Sequence, residues 1–279
     1  MPYSPKSGIN CIFGMPSRVT SRTRLSAVLH AGGDFITVDD VVAALNVSRP
    51  VAAKILVRWR EQHWLRRLRR GLYAPVPLTL SHNEQVLEDP WTLVPELFDP
   101  GYVGGASAAH HWDLTEQLFK TVFVYTARPV RRREQIIQDI PFRVSHIEEV
   151  HIFGTKALWR GRAKIQISDV HRTLIDLLDD PSSGGGVRHV EGCLRTYLDS
   201  KDADLHRLIE YGDKLGNGAV FKRLGFLAER LAAPKNLVSA CAERLTHGNA
   251  RLDPSLTSPR LVRRWRLWIP EFWKRHTAT

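Results

Sequence analysis

The sequence predicts an α+β (mixed α/β) chain in two parts. A small N-terminal domain of helices closed by a hairpin precedes a larger C-terminal domain with a small sheet and a mostly helical C-terminal half. Three observations carry this expectation. Between Thr37 and Ala74 the apolar spacing is helical twice and then becomes strand-like. Basic charge is concentrated at the front, where residues 1–77 hold 12 Lys+Arg against 4 Asp+Glu. From Asp169 onward, segments of helical period follow one another.

Taken in order, Thr37 stands at an N-cap position, with Asp39 and Asp40 in the first turn, where negative charge favours the helix dipole. Val38, Val41, Val42 and Leu45 then form a helical stripe. Asn46-Val47-Ser48 breaks it, and Ser48 with Pro50 two residues on marks the next helix start. In that helix Val51, Ala52, Ile55, Leu56 and Trp59 share one face. Ala53, Lys54, Val57, Arg60 and Glu61 point away, with Arg58 at the boundary. Trp64 to Ala74 reads as two short strands around an Arg69-Arg70-Gly71 turn.

Helix, turn, helix and hairpin in that order make a winged helix-turn-helix. Its second helix enters the DNA major groove, and its wing reaches phosphates or the minor groove. The candidate DNA contacts are Ser48, Arg49, Lys54, Val57, Arg58 and Arg60 on the helix, with Arg66, Arg67, Arg69 and Arg70 on the wing. Charges also protect exposed strand edges, but this cluster exceeds what edge protection needs. The whole chain carries +11 with a pI near 9.9. Of that, +8 lies in residues 1–77 and +3 in the rest, as expected of a DNA-binding module joined to a separate effector domain.

The expected organisation is a flexible tail at 1–20, the winged helix at 21–77, a linker at 78–100 passing into a short helix, and a C-terminal domain at 101–279. The first 14 residues are rich in Pro, Ser and Gly, and Met15 is an alternative start to Met1. Gly104-Gly105 allows a tight strand-to-helix turn before Ala106 to Trp112. Thr121 to Tyr125, Phe142 to Ile147 and Lys164 to Ile167 read as strands. Asp169 to Leu178, Val187 to Leu198, Ala203 to Leu215, Ala219 to Leu231 and Leu237 to Leu245 read as helices, and Leu261 to Trp273 as a strand-like tail. The three cysteines match neither zinc spacing nor a disulfide framework, so a reducing cytoplasm is expected. No apolar run has the length of a membrane span, and the N-terminus lacks a signal-peptide core.

Several groups invite a catalytic reading. Ser107 near His110 and His111 lacks a nucleophile elbow, His146 and His151 do not form an HExxH pair, and Gly184-Gly185-Gly186 lacks the ending of a phosphate loop. Asp169, His171 and Asp176 are metal-ligating types. With Asp179 they sketch the alternative function, a metal-dependent nuclease targeted by the winged helix. The structural reading is favoured: Asp169 as N-cap and Asp176 as a surface carboxylate, opposite Val170, Leu174, Ile175, Leu177 and Leu178. No catalytic set, metal or cofactor is therefore expected. Arg128, Arg131, Arg132 and Arg133 offer either a second DNA patch or a solvated loop, and both readings stand.

Residues 70–74 (Arg-Gly-Leu-Tyr-Ala), 103–112 (Val-Gly-Gly-Ala-Ser-Ala-Ala-His-His-Trp), 126–129 (Thr-Ala-Arg-Pro) and 168–178 (Ser-Asp-Val-His-Arg-Thr-Leu-Ile-Asp-Leu-Leu) together resemble the AbiEi-type antitoxins of abortive-infection systems. The resemblance spans roughly residues 20–270. It implies a repressor of its own operon, acting on double-stranded promoter DNA with inverted repeats. It also implies a type IV antitoxin that opposes a nucleotidyltransferase-like toxin without forming a stable complex with it. Val170-His171 stand where that family has a Pro-Glu-like pair, so the resemblance assigns no role to position 171.

Overall fold

A computed structural model describes residues 20–32, 35–69, 71–76, 89–161 and 163–273. Residues 1–19 of the expected tail and 78–88 of the expected linker fall outside these residues. The chain divides between Gln85 and Val86 into two compact units.

The first unit runs α1 (Ser21–Gly32), β1 (Ile36–Thr37), α2 (Val38–Leu45), α3 (Arg49–Glu61), β2 (Leu65–Arg69) and β3 (Leu72–Pro75). Thr37 caps α2 reciprocally. Its hydroxyl accepts from the Asp40 N–H (3.2 Å), while its own N–H and hydroxyl donate to Asp40 Oδ2 at 2.7 Å. Asn46 ends the helix in the left-handed conformation, a role its short amide side chain tolerates. Ser48 occupies the N-cap of α3 with extended backbone and no side-chain capping bond, and Pro50 lies in the first turn. β1 and β2 both pair antiparallel with β3, giving the order β1-β3-β2, with a bulge between Arg67 and Arg69. Val28, Ile36, Val41, Leu56, Trp59 and Leu65 pack beneath this sheet. Removing a side chain such as Leu56 from so closed a core costs about 2–5 kcal/mol.

The second unit begins before residue 101. The segment expected as a linker contains α4 (Leu93–Phe98), whose Leu93, Val94, Leu97 and Phe98 are buried. There follow β4 (Gly101–Val103), α5 (Gly105–His111), β5 (Val122–Thr126), β6 (Glu134–Ile137), β7 (Ile140–His146), β8 (Thr155–Arg160) and β9 (Ala163–Ser168). These strands form one sheet ordered β6-β7-β5-β4-β9-β8, with β4/β9 and β5/β7 parallel and the remaining pairs antiparallel. At the β4–α5 turn Gly105 has φ +54°, and a Cβ on Gly104 would sit 2.8 Å from the Tyr125 ring. The turn thus requires the two glycines. Helices α6 (Val170–Asp179), α7 (Val187–Leu198), α8 (Leu205–Leu215), α9 (Gly218–Arg230) and α10 (Lys235–Glu243) build the C-terminal half. It closes with a small sheet of β10 (Ala250–Arg251), β11 (Arg260–Val262) and β12 (Leu267–Ile269). Helix α6 packs against α5, α7, α8 and α9 and is covered on nearly every side.

Candidate nucleic-acid interface

Helix α3 has two unlike faces. Ala52, Leu56 and Trp59 are buried in the core, whereas Lys54, Val57, Arg58 and Glu61 are exposed. At 3.6 residues per turn Lys54 lies opposite the buried stripe, flanked by Val57 on one side and Arg58 on the other. Arg58, expected at the boundary, is exposed, and Arg60 is half-buried towards the core flank. Val51 corrects the expected core face. It is 44% exposed and lies on the same side as Lys54 and Arg58, at i+3 and i+7. That spacing is readable, but a valine invites a core assignment. With Val57 at 38% exposure, this surface presents two apolar side chains among cations, the combination that meets thymine methyl groups beside phosphates.

Arg49 is exposed at the start of α3, and its Nη1 contacts Asp39 Oδ1 at 2.7 Å. Both side chains are more than two-thirds solvent-accessible, so the pair is worth about 0–1 kcal/mol and Arg49 can exchange it for a phosphate. Ser48 is exposed beside it. On the wing Arg67 is exposed and Arg66 half-buried, and that burial lowers the Arg66 pKa without discharging an arginine. The Arg69 side chain and all of Arg70 lie outside the described residues.

In the second unit, the guanidinium of Arg128 donates to the Asp99 and Leu97 carbonyls at the C-terminus of α4, so this residue ties α4 to the end of β5. Arg131, Arg132 and Arg133 are exposed ahead of β6. The structure thus sets Arg128 apart from its three neighbours.

Asp169 caps α6, accepting from the Arg172 N–H at 2.8 Å and the Tyr211 hydroxyl at 3.0 Å. Burial works to raise its pKa, but His171 beside it and these hydrogen bonds hold it below the usual carboxylate range. Asp176 corrects the expectation of a surface carboxylate. It is 2% exposed and lies 2.9 Å from Arg172 Nε, itself 1% exposed. The Tyr102 hydroxyl donates to Asp176 and accepts from Arg172 at 2.9 Å, and the guanidinium also sits 4.2 Å from the Phe153 ring centroid. Burial pushes the Asp176 carboxyl up to about 7, opposed by Arg172 and Tyr102. Asp179 accepts from the Asn217 side chain. The three carboxylates of the nuclease alternative are therefore committed to a cap, an ion pair and a helix-start contact. Among the described residues no cluster of His, Cys, Asp and Glu is arranged to hold a metal ion. Cys193 and Cys241 are free and buried, and burial pushes both thiols up to about 12. No helix among the described residues is long and apolar enough to cross a membrane.

A family model described as "Transcriptional regulator, AbiEi antitoxin" matches residues 24–76, the stretch that runs from within α1 through α2 and α3 to the hairpin. The AbiEi-type resemblance is thereby supported on that stretch, which points to the regulator and antitoxin class. Among solved structures, protein RV2827C from Mycobacterium tuberculosis superposes with a TM-score of 0.60 at 15% identity, over 89% of this chain and 91% of that one. At that identity the likeness shows the fold alone. No curated protein sequence matches the chain.

Proposed function

We propose that this chain, whose N-terminal segment is of the AbiEi regulator type, is a DNA-binding repressor of its own operon and an antitoxin. Helix α3 enters the major groove with Lys54, Val57 and Arg58 on bases or phosphates. Ser48 and Arg49 contact the backbone at its N-terminal end, and Arg60 lies at the flank. The β2–β3 wing adds phosphate contacts through Arg66, Arg67, Arg69 and Arg70. Arg131, Arg132 and Arg133 supply a second patch, with Arg128 supporting their loop. The partners are double-stranded promoter DNA, with paired half-sites as inverted repeats, and a nucleotidyltransferase-like toxin countered without a stable complex. The chain acts in the cytoplasm, without cofactor, metal or catalysis of its own.

The observation that carries this reading is the exposed cationic and apolar face of α3, held outward by the core beneath it. The test is a division of labour. A chain starting at Val86 should fail to bind the promoter yet still protect cells expressing the downstream gene. Promoter binding by that fragment would contradict the assignment of DNA recognition to the winged helix. Loss of protection by the folded fragment would contradict the assignment of antitoxicity to the second unit.

A further inference from the structure

Within the second unit, α9 and the small C-terminal sheet line a cleft of about 720 Å³, a size usual for small-molecule sites. Its rim is arginine: Arg230 from α9, Arg260 from β11, and Arg263 and Arg264 from the turn that follows. Its apolar lining includes Phe226, Leu261, Ile269 and Trp273. One lining carboxylate, Glu229, faces these cations, and both its oxygens are engaged. One lies 2.6 Å from Arg264, and the other accepts the Trp265 indole N–H at 2.6 Å. Arg230 reaches Glu191 at 3.2 Å and lies over the Trp273 ring at 4.9 Å. Among the described residues the side chains of Arg260 and Arg263 have no ion-pair or hydrogen-bond partner, and both residues are exposed. Trp273 is 4% exposed, and among the described residues its indole N–H finds no acceptor.

Like charges gathered around an apolar hollow repel one another and favour an anion that neutralises several at once. Guanidinium forks suit phosphate oxygens, which accept two parallel N–H bonds. We infer that this cleft binds a mononucleotide, with phosphates on Arg260 and Arg263 and the flat base against the apolar lining.

The experiment is calorimetric titration of the full-length protein with ATP, inorganic phosphate and adenosine. ATP should bind saturably, and tighter than either of its parts. Arg260→Ala/Arg263→Ala should weaken ATP binding roughly tenfold or more, and circular dichroism should stay unchanged because both side chains are exposed. Lys54→Ala/Arg58→Ala should leave it unaltered, excluding the winged helix as the site. The inference is overturned if ATP shows no saturable binding, if the double arginine variant binds it as the wild type does, or if phosphate or adenosine alone binds as tightly.

Discussion

Replacing Arg172 by Met tests what holds β4 to α6. The substitution removes the guanidinium from a pair at 2.9 Å with both side chains almost wholly buried, together with its bonds to the Tyr102 hydroxyl and its stacking on Phe153. Asp176 is left without a cation in a dry site, and breaking a buried pair in this way costs about 3–5 kcal/mol. For a unit of this size each kcal/mol moves the melting midpoint by about 2–4 °C, so a fall on the order of 10 °C is expected. The sign of the pH dependence follows from Asp176. Its folded pKa, about 7, lies above the unfolded value near 3.8, so the folded state binds the extra proton between them. Wild-type stability from this group is therefore fully present below about pH 4 and lost as pH rises towards 7. Removing Arg172 takes away the main attraction holding this pKa down, so the variant's deficit should be smaller at pH 5 than at pH 8. Adding Asp176→Leu should recover much of the stability, since an apolar pair needs no counter-charge. Urea denaturation at the two pH values, on all three proteins, reads these effects. A single variant destabilised by less than about 1 kcal/mol, or a double variant less stable than the single, would refute the reasoning.

Thr37→Ala removes the capping hydroxyl of α2 and should cost the N-terminal unit about 0.5–2 kcal/mol, read as a lower melting midpoint. Gly104→Ala drives a Cβ to 2.8 Å from the Tyr125 ring and 2.9 Å from Asp176 Oδ2, and overpacking of this kind costs about 1–3 kcal/mol in denaturation. Replacing Arg66, Arg67, Arg69 and Arg70 together by Ala should flatten the salt dependence of DNA binding by about 0.9 in log–log slope for each phosphate no longer neutralised. An unchanged slope would make the wing a bystander.

The first unit is the more legible in sequence, because its signals are local. The Thr37–Asp40 capping box spans four residues, and the Ser48–Pro50 start lies within one turn. Helix α6 shows why the rest is harder. Periodicity in one helix marks a single apolar stripe, but α6 is enclosed by four other helices, so its polar side is buried as well. Arg172, one turn away, is the cation beside Asp176, but Tyr102, which completes the site, is 74 residues away in sequence. β8 escapes sequence reading because an edge strand facing solvent has no alternation to detect; Lys156, Ala157, Trp159 and Arg160 are all exposed. β6 escapes it as well, although Gln138 and Asp139, both with positive φ, form the tight turn joining it to β7. Val51 reads as a core residue by its type, against a spacing that puts it beside Lys54.

The most direct measurement is the affinity of the full-length protein for its own promoter, with and without Lys54→Ala/Arg58→Ala, at fixed salt. Both side chains are exposed on α3, so folding should be unaffected. Removing each base-reading side chain should weaken binding by about 1–3 kcal/mol and relax specificity at its position. A folded double variant that binds the promoter with wild-type affinity and specificity would contradict the assignment of α3 as the recognition helix.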